Sequence, residues 1–394
     1  MQTLGVYIQV PFCQTKCTYC NFHTGVVSRD RYTPYAHAVR REIEAWLENE
    51  SDPLREGAVD TVYFGGGTPS LLDPAALQNI IDALRPRLAD EKSLEITLEA
   101  DPETIDAEKA AAWRCAGFNR ISLGVQSFHD DELKAAGRMH RRADIFSAAA
   151  ALRASGLDNI SMDLIAGLPR QTRASWENPV SELIALKPAH VSIYMLEIDE
   201  GSRLGRESLA GGSRYSASAI PEDDAIADFY ESARARLAAA GYEHYEISNW
   251  ALPGKRARHN LKYWQRQPYL GFGAGAHSFD GLNRWANLHD SAHYVACIER
   301  GISTREQVEP VTADQALEEE FFLGLRQLEG IDLGRIERDY VTNRGGNMRA
   351  QLTDLHRRLE NLHSQGLVEI AGSRLKLSPA RLTVSNEVFT ELMR

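Results

Sequence analysis

Cys13, Cys17 and Cys20 fall within eight residues of this 394-residue chain, at spacings of four and then three. Such spacing puts soft thiolates on one loop, just after a short β-branched run, where they can converge on iron or zinc. Three thiolates are one ligand short of a closed zinc site, and His23 would complete a Cys-x3-Cys-x2-Cys-x2-His set. On the cysteines alone both metals stay open. Cys115 and Cys297 lie far away in helix-like stretches. An odd cysteine count without an export signal argues against a disulfide framework, so those two read as inert thiols.

A second motif shifts the balance toward an iron–sulfur cluster. The β-branched run 59–64 leads straight into Gly65-Gly66-Gly67-Thr68-Pro69, and such glycines let the polar end of a ligand approach backbone with no Cβ in the way. Glu99, Gln126 and Asp163 fall at or near the ends of the next three strand-like runs. Parallel α/β barrels assemble their sites at that rim. Each residue alone reads as an ordinary solvated side chain; five consecutive strand ends offering ligand groups read as one site.

The elements that must position these residues follow from the hydrophobic pattern. Seven β-branched runs, at 4–10, 59–64, 93–99, 119–125, 158–165, 189–196 and 242–247, alternate with amphipathic Ala/Leu/Glu/Arg-rich stretches. That alternation implies an α/β fold with a largely parallel sheet, a partial or full (β/α) barrel over residues 1–250. Helix starts are marked by Asp73-Pro74, by Thr104 and by Pro221 with the acidic residues after it. Residues 251–309 interrupt the alternation as an extension. Within it, GKRARHNLKYWQR at 254–266 holds five basic and no acidic side chains, which suggests an anionic ligand or surface nearby, or else a solvated loop. From 310 to 394 the pattern becomes mostly helical, at 313–328, 332–341 and 348–365, and ends in a hairpin turning at Gly372-Ser373. A small winged-helix-like domain is expected there.

A formal net charge of −11 repels polyanions, so no nucleic-acid partner is expected. The run Glu318-Glu319-Glu320 argues the same for the winged-helix-like segment. No window approaches the ~18 apolar residues of a membrane span, and the first twenty residues lack the pattern of a leader, so a cytoplasmic protein without a transmembrane segment is expected.

The run Tyr7-Ile8-Gln9-Val10-Pro11-Phe12-Cys13 through Cys17-Thr18-Tyr19-Cys20 resembles the opening of the radical S-adenosylmethionine (SAM) proteins related to oxygen-independent coproporphyrinogen III oxidase. The likeness continues through GGGTPS at 65–70, Glu99, VQSF at 125–128, GRMH at 137–140, DLIAGLP at 163–169 and YEISNWA at 245–251. It implies a [4Fe-4S] cluster on Cys13, Cys17 and Cys20 with one iron open to the methionine end of SAM. It also implies cofactor contacts from Tyr7, Tyr19, Gly66, Gly67, Thr68, Glu99, Gln126, Arg138 and Asp163. In that arrangement Arg138 meets the methionine carboxylate, Asp163 and Gln126 the ribose hydroxyls, and the glycine turn the amino group.

One departure narrows the resemblance. The oxidase pattern has a further cysteine two positions after the third, and here that position is Phe22. The change is shared with the HemW group of heme chaperones, as is His259-Asn260-Leu261-Lys262-Tyr263-Trp264, which matches that group's HNxxYW. The resemblance implies heme as a ligand, with His259 as an axial donor, Tyr263 and Trp264 as flat faces and nearby cations for the propionates. Apo-hemoproteins, membrane-associated respiratory enzymes among them, are then the expected recipients. Gln9 and Asn21 stand where the group commonly has His and Asp. His190, His244 and His277 read as core or rim residues. The rival readings are a true coproporphyrinogen III oxidase, a radical SAM methyltransferase and a zinc protein.

Overall fold

A computed structural model of the chain describes residues 3–342 and 348–393. Residues 343–347 and 394, part of the expected C-terminal domain, lie outside the described residues. The seven β-branched runs form β1 (Leu4–Val10), β2 (Val59–Gly66), β3 (Glu95–Ala100), β4 (Arg120–Gln126), β5 (Ile160–Ala166), β6 (His190–Met195) and β7 (Glu243–Glu246). β8 (Asn249–Ala251), β9 (Tyr269–Phe272), β10 (His277–Phe279), β11 (Asn283–Asn287) and β12 (Arg305–Pro310) follow. Together they make one sheet in the order β12-β11-β10-β9-β1-β2-β3-β4-β5-β6-β8-β7.

β1 to β6 are parallel neighbours in chain order, each joined to the next through helical crossovers. Such crossovers give the (β/α) curl. The sheet order ends on β12 at one edge and β7 at the other, so the expected barrel takes its partial form. The extension adds to the same sheet: β9 runs parallel to β1, and β10, β11 and β12 follow antiparallel.

Local chemistry fixes the helix starts. Asp73 caps Pro74–Leu84 by accepting from the Ala75 amide at 2.8 Å. The start expected at Thr104 falls instead at Asp106, whose carboxylate accepts from the Lys109 amide at 2.8 Å, while Thr104 closes a preceding 3-10 turn. An aspartate reaching the third amide of a helix satisfies a donor that otherwise has no partner within it.

The C-terminal segment packs helices Ala313–Gly324, Met348–Ser364 and Ser385–Leu392 with a three-stranded sheet, in which β13 (Ile331–Asp332) and β14 (Val368–Ala371) flank β15 (Arg374–Leu377). The β14–β15 hairpin is the expected wing. Ion pairs clamp this module to the barrel: Glu319 takes Arg266 at 2.8 Å and Arg284 at 2.9 Å, and Glu320 takes Arg266 at 3.4 Å while pairing within the module with Arg335. Four of the five basic side chains of the stretch 254–266 are paired within the chain. Arg256 pairs with Glu329, Arg258 and Lys262 with Asp60, and Arg266 with Glu319. Among the described residues no helix is long and apolar enough to cross a membrane.

Candidate functional site

The two-residue repeat of a strand sends alternate side chains to opposite faces of the sheet. Val6, Ile8, Val62, Phe64, Ile96, Leu98, Ile121, Leu123, Met162, Leu164, Val191 and Ile193 form the buried apolar face under the helices. The alternate residues line the barrel's inside, and the strand register stacks them in layers. Gly5, Thr61 and Glu95 are cross-strand partners near the amino end; Tyr7, Tyr63 and Thr97 come next; Glu99 aligns with Ser122, and Asp163 with Ser192, toward the carboxyl end.

At that carboxyl end lies a cavity of about 370 Å³ lined by Cys13, Cys17, Cys20, Tyr19, Gly66, Gly67, Thr68, Glu99, Gln126, Arg138 and Asp163. These are eleven of the twelve residues expected at the cluster and its cofactor. The twelfth, Tyr7, stands one layer deeper, its ring stacked 5.9 Å from that of Tyr63. Burial pushes the Cys13 and Cys20 thiols up from their ordinary range, so metal binding there must displace protons.

The glycine turn does more for the chain itself than the sequence indicates. A Cβ on Gly67 would meet the Phe12 and Val10 carbonyl oxygens at 2.5 and 2.8 Å, and one on Gly66, at φ +105°, would strike the Gln9 side chain. The Gly67 amide donates to Val10 O at 2.9 Å and the Thr68 amide to Phe12 O at 2.7 Å. The turn thus grips the backbone that leads into the cysteine loop. At the end of β4, Gln126 sits at φ +63° beside a register shift. That conformation costs a non-glycine residue about 1–3 kcal/mol and re-aims its side chain toward the cavity.

The floor is acidic. Glu99 accepts from the Tyr63 hydroxyl at 2.7 Å and the Gly66 amide at 3.1 Å. Burial, against the opposing pull of the Tyr63 hydrogen bond, holds its carboxyl at about 7, with Asp163 adding to the rise. Asp163 is also raised by burial, offset by the hydroxyls of Ser192, Ser122 and Ser161. A floor of this kind suits a cation. Arg138 is a buried cation beside it: it pairs with Asp101, donates to Gly124 O at 2.9 Å and approaches Cys17 Sγ at 3.5 Å. Asp101 also accepts from Thr68 Oγ1 at 3.1 Å. A ligand carboxylate reaching Arg138 must therefore share it with Asp101, a residue the motif reading missed. Its one sequence signal is its place two residues after Glu99. Tyr63, Ser122 and Tyr194 at the same site were missed too, because inward-facing strand residues carry no motif.

The HNxxYW segment lies at the opposite end. It forms the helix Arg258–Trp264, whose first amides are accepted by the Glu95 carboxylate: Arg258 N at 3.2 Å and His259 N at 3.1 Å. Lys262 and Arg258 both reach Asp60 at 2.7 Å. Gly5 makes room for this helix, since a Cβ there would meet Lys262 Cδ at 2.9 Å. His259 is buried, 1 % exposed, and stacked 5.2 Å from the Tyr63 ring. Its Nδ1 bonds Thr61 Oγ1 at 2.9 Å and its Nε2 the Tyr263 hydroxyl at 2.8 Å. Burial drives its pKa down to about 3. Both ring nitrogens of His259, the axial donor the resemblance implies, are thus engaged inside the barrel. The expected propionate partners are engaged as well, with Arg258 and Lys262 held by Asp60. Tyr263 stands edge-on to His259 and to Tyr269, and the Trp264 ring lies under the Arg326 guanidinium at 4.8 Å.

Comparison with known proteins gives the same frame. The Radical SAM superfamily matches residues 7–181 and the HemN C-terminal domain residues 311–380. The chain is 34% identical over 387 residues to the heme chaperone HemW of Bacillus subtilis, covering 98% of each. It is 37% identical over 338 residues to the heme chaperone HemW of Synechocystis, covering 83% of this chain and 79% of that one. In three dimensions it resembles the coproporphyrinogen III oxidase HemN from Escherichia coli, described as a radical SAM enzyme, with a TM-score of 0.81 at 21% identity over all of this chain and 89% of that one. At that identity the likeness speaks for the fold.

Proposed function

This chain belongs to the HemW family of radical SAM proteins, and from that premise we propose that it is a heme chaperone, one that binds heme and hands it to apo-hemoproteins. The observation that carries the reading is a single pocket in which three thiols, an arginine and a floor of buried carboxylates meet beside Phe22, where the oxidase pattern calls for a further cysteine.

Cys13, Cys17 and Cys20 hold three irons of a [4Fe-4S] cluster and leave the fourth for the methionine end of SAM. A bound cluster supplies one electron at low potential to that cofactor's sulfonium. The chain's own residues do the holding: Glu99 and Asp163 face the cationic cofactor, Arg138 its carboxylate, Gln126 and Asp163 the ribose, with Tyr7, Tyr19, Gly66, Gly67 and Thr68 shaping the walls. The exposed Phe22, 67 % accessible, brings an apolar face to the mouth instead of a thiol. The recipients are membrane-associated respiratory hemoproteins met from the cytoplasm.

The test is heme transfer. Anaerobically reconstituted chain loaded with heme should convert an apo-hemoprotein to its holo form, with the acceptor's own absorbance appearing as the donor's declines. Failure to transfer, together with conversion of coproporphyrinogen to protoporphyrinogen under the same conditions, would replace the chaperone reading by the oxidase one.

A further inference from the structure

Two lines of side chains lead from the carboxylates of the rim pocket, through the barrel interior, to the start of the helix Arg258–Trp264. The first begins at Glu99, which accepts from the Tyr63 hydroxyl at 2.7 Å. The Tyr63 ring lies 5.2 Å from the His259 imidazole at an interplanar angle of 24°. Tyr7 completes a stack of three, 5.9 Å from Tyr63 and 6.3 Å from His259. Gly65 keeps the stack tight, since a Cβ there would meet the Tyr63 ring at 2.8 Å and both Glu99 Oε1 and the Tyr7 hydroxyl at 3.0 Å.

The second line begins at Asp163, 3.4 Å from Ser161 Oγ. Ser161 Oγ lies 2.8 Å from His190 Nδ1, and His190 Nε2 lies 2.7 Å from the Tyr245 hydroxyl. That hydroxyl accepts from the amide of Ala257, the residue at the helix N-cap, at 3.2 Å. One assignment satisfies every member: Ala257 N–H donates to Tyr245, Tyr245 O–H to His190 Nε2, His190 Nδ1–H to Ser161, and Ser161 O–H to Asp163. Each hydrogen bond in such a run polarises the next, so charge on Asp163 is felt at the helix start.

Both lines answer to the charge in the pocket. A cation laid against Glu99 and Asp163 favours their ionised forms, and a hydrogen bond to a carboxylate is roughly twice as strong as one to a neutral acceptor. On the reading above, SAM presents that cation. Tyr63 and the Ser161–His190–Tyr245 run are then drawn tighter, and His259 and Ala257 with them. Opening a His259 nitrogen to iron requires the opposite: breaking its bonds to Thr61 and Tyr263, leaving the Tyr63 ring, and shifting the helix start that Tyr245 holds.

We propose that the SAM pocket and the HNxxYW helix are coupled antagonistically, with Tyr63 and Tyr245 as the positioning residues: SAM in the pocket locks His259 in, and heme on His259 loosens the pocket's hold on SAM. The inference rests on the heme-chaperone reading and gives the cofactor a part in heme release that needs no cleavage of SAM.

The full chain, reconstituted anaerobically, is dialysed to equilibrium against SAM with and without a load of hemin. Hemin should weaken SAM binding at least about fivefold, and saturating SAM should weaken hemin binding by the same factor, because such coupling is reciprocal. Tyr63→Phe and Tyr245→Phe each keep the ring and remove one hydroxyl. Each should shrink the factor, and the double variant should abolish it. Tyr242→Phe removes a buried hydroxyl bonded to Pro188 O at 2.7 Å, outside both lines, and should leave the factor as it is. Equal SAM affinity with and without hemin, tighter SAM binding with hemin, or full coupling in the double variant overturns the proposal while the chaperone reading stands. If the unaltered chain takes up no hemin, the chaperone reading fails and this proposal with it.

Discussion

At the carboxyl rim of the barrel Arg138 faces Asp101, and at the amino end Lys262 and Arg258 face Asp60. The ion pairs look alike, yet the first borders a cavity of about 370 Å³, whereas the second fastens the buried helix Arg258–Trp264 against the strand starts. The rim sets carboxylates raised by burial around an open cavity; the amino end pairs Glu95 with two amides and His259 with two hydroxyls in a closed interior. Polar atoms are engaged at both ends; what separates the two is the open volume beside them. By that measure the HNxxYW helix packs as a plug in this structure, and the cysteine rim holds the candidate cavity.

The largest effect expected from this contrast is on stability. Asp60→Ala removes the counter-charge of a Lys262 side chain that is 5% exposed, and stranding a buried charge costs about 3–5 kcal/mol, read as a fall in the urea midpoint. Arg138→Ala should cost less, because Asp101 is 23% exposed and keeps the Thr68 hydroxyl; its signature is weaker retention of SAM. Equal destabilisation by the two variants, with cofactor retention unchanged, would break the distinction between the ends.

A smaller effect sharpens the same contrast through pH. Glu99 has its folded pKa raised to about 7, so its share of stability in the cofactor-free chain is full below about pH 4.5 and is lost as pH rises toward 7. Glu246, also held at about 7 by burial, adds to that slope. His259 is depressed to about 3, so its share is full above about pH 6.5 and is lost as pH falls toward 3. Thermal midpoints measured from pH 4 to 8 should show Glu99→Gln flattening the decline toward neutral pH and His259→Gln flattening the decline toward acid. If neither substitution changes its own slope, these two groups are not held as the geometry indicates.

The strands were legible because a parallel sheet between helices needs continuous apolar runs, and each β-branched run became a strand. Glu99 and Asp163 were legible because strand ends of such a fold converge. Asp101 was not, since its partner Arg138 is 37 positions away and nothing local announces the pair. The stretch 254–266 misled for the same reason: no acid lies near it in sequence, but Asp60 is 198 positions from Arg258 and Glu95 is 164 from His259.

The central claim is that the rim cysteines carry a cluster open to SAM. Anaerobic reconstitution followed by metal and sulfide analysis, with electron paramagnetic resonance of the reduced chain, tests it most directly. About four irons and four sulfides per chain are expected, with a reduced-cluster signal that shifts when SAM is added and disappears in Cys13→Ala, Cys17→Ala or Cys20→Ala. One zinc without sulfide, or a cluster signal indifferent to SAM, would contradict it.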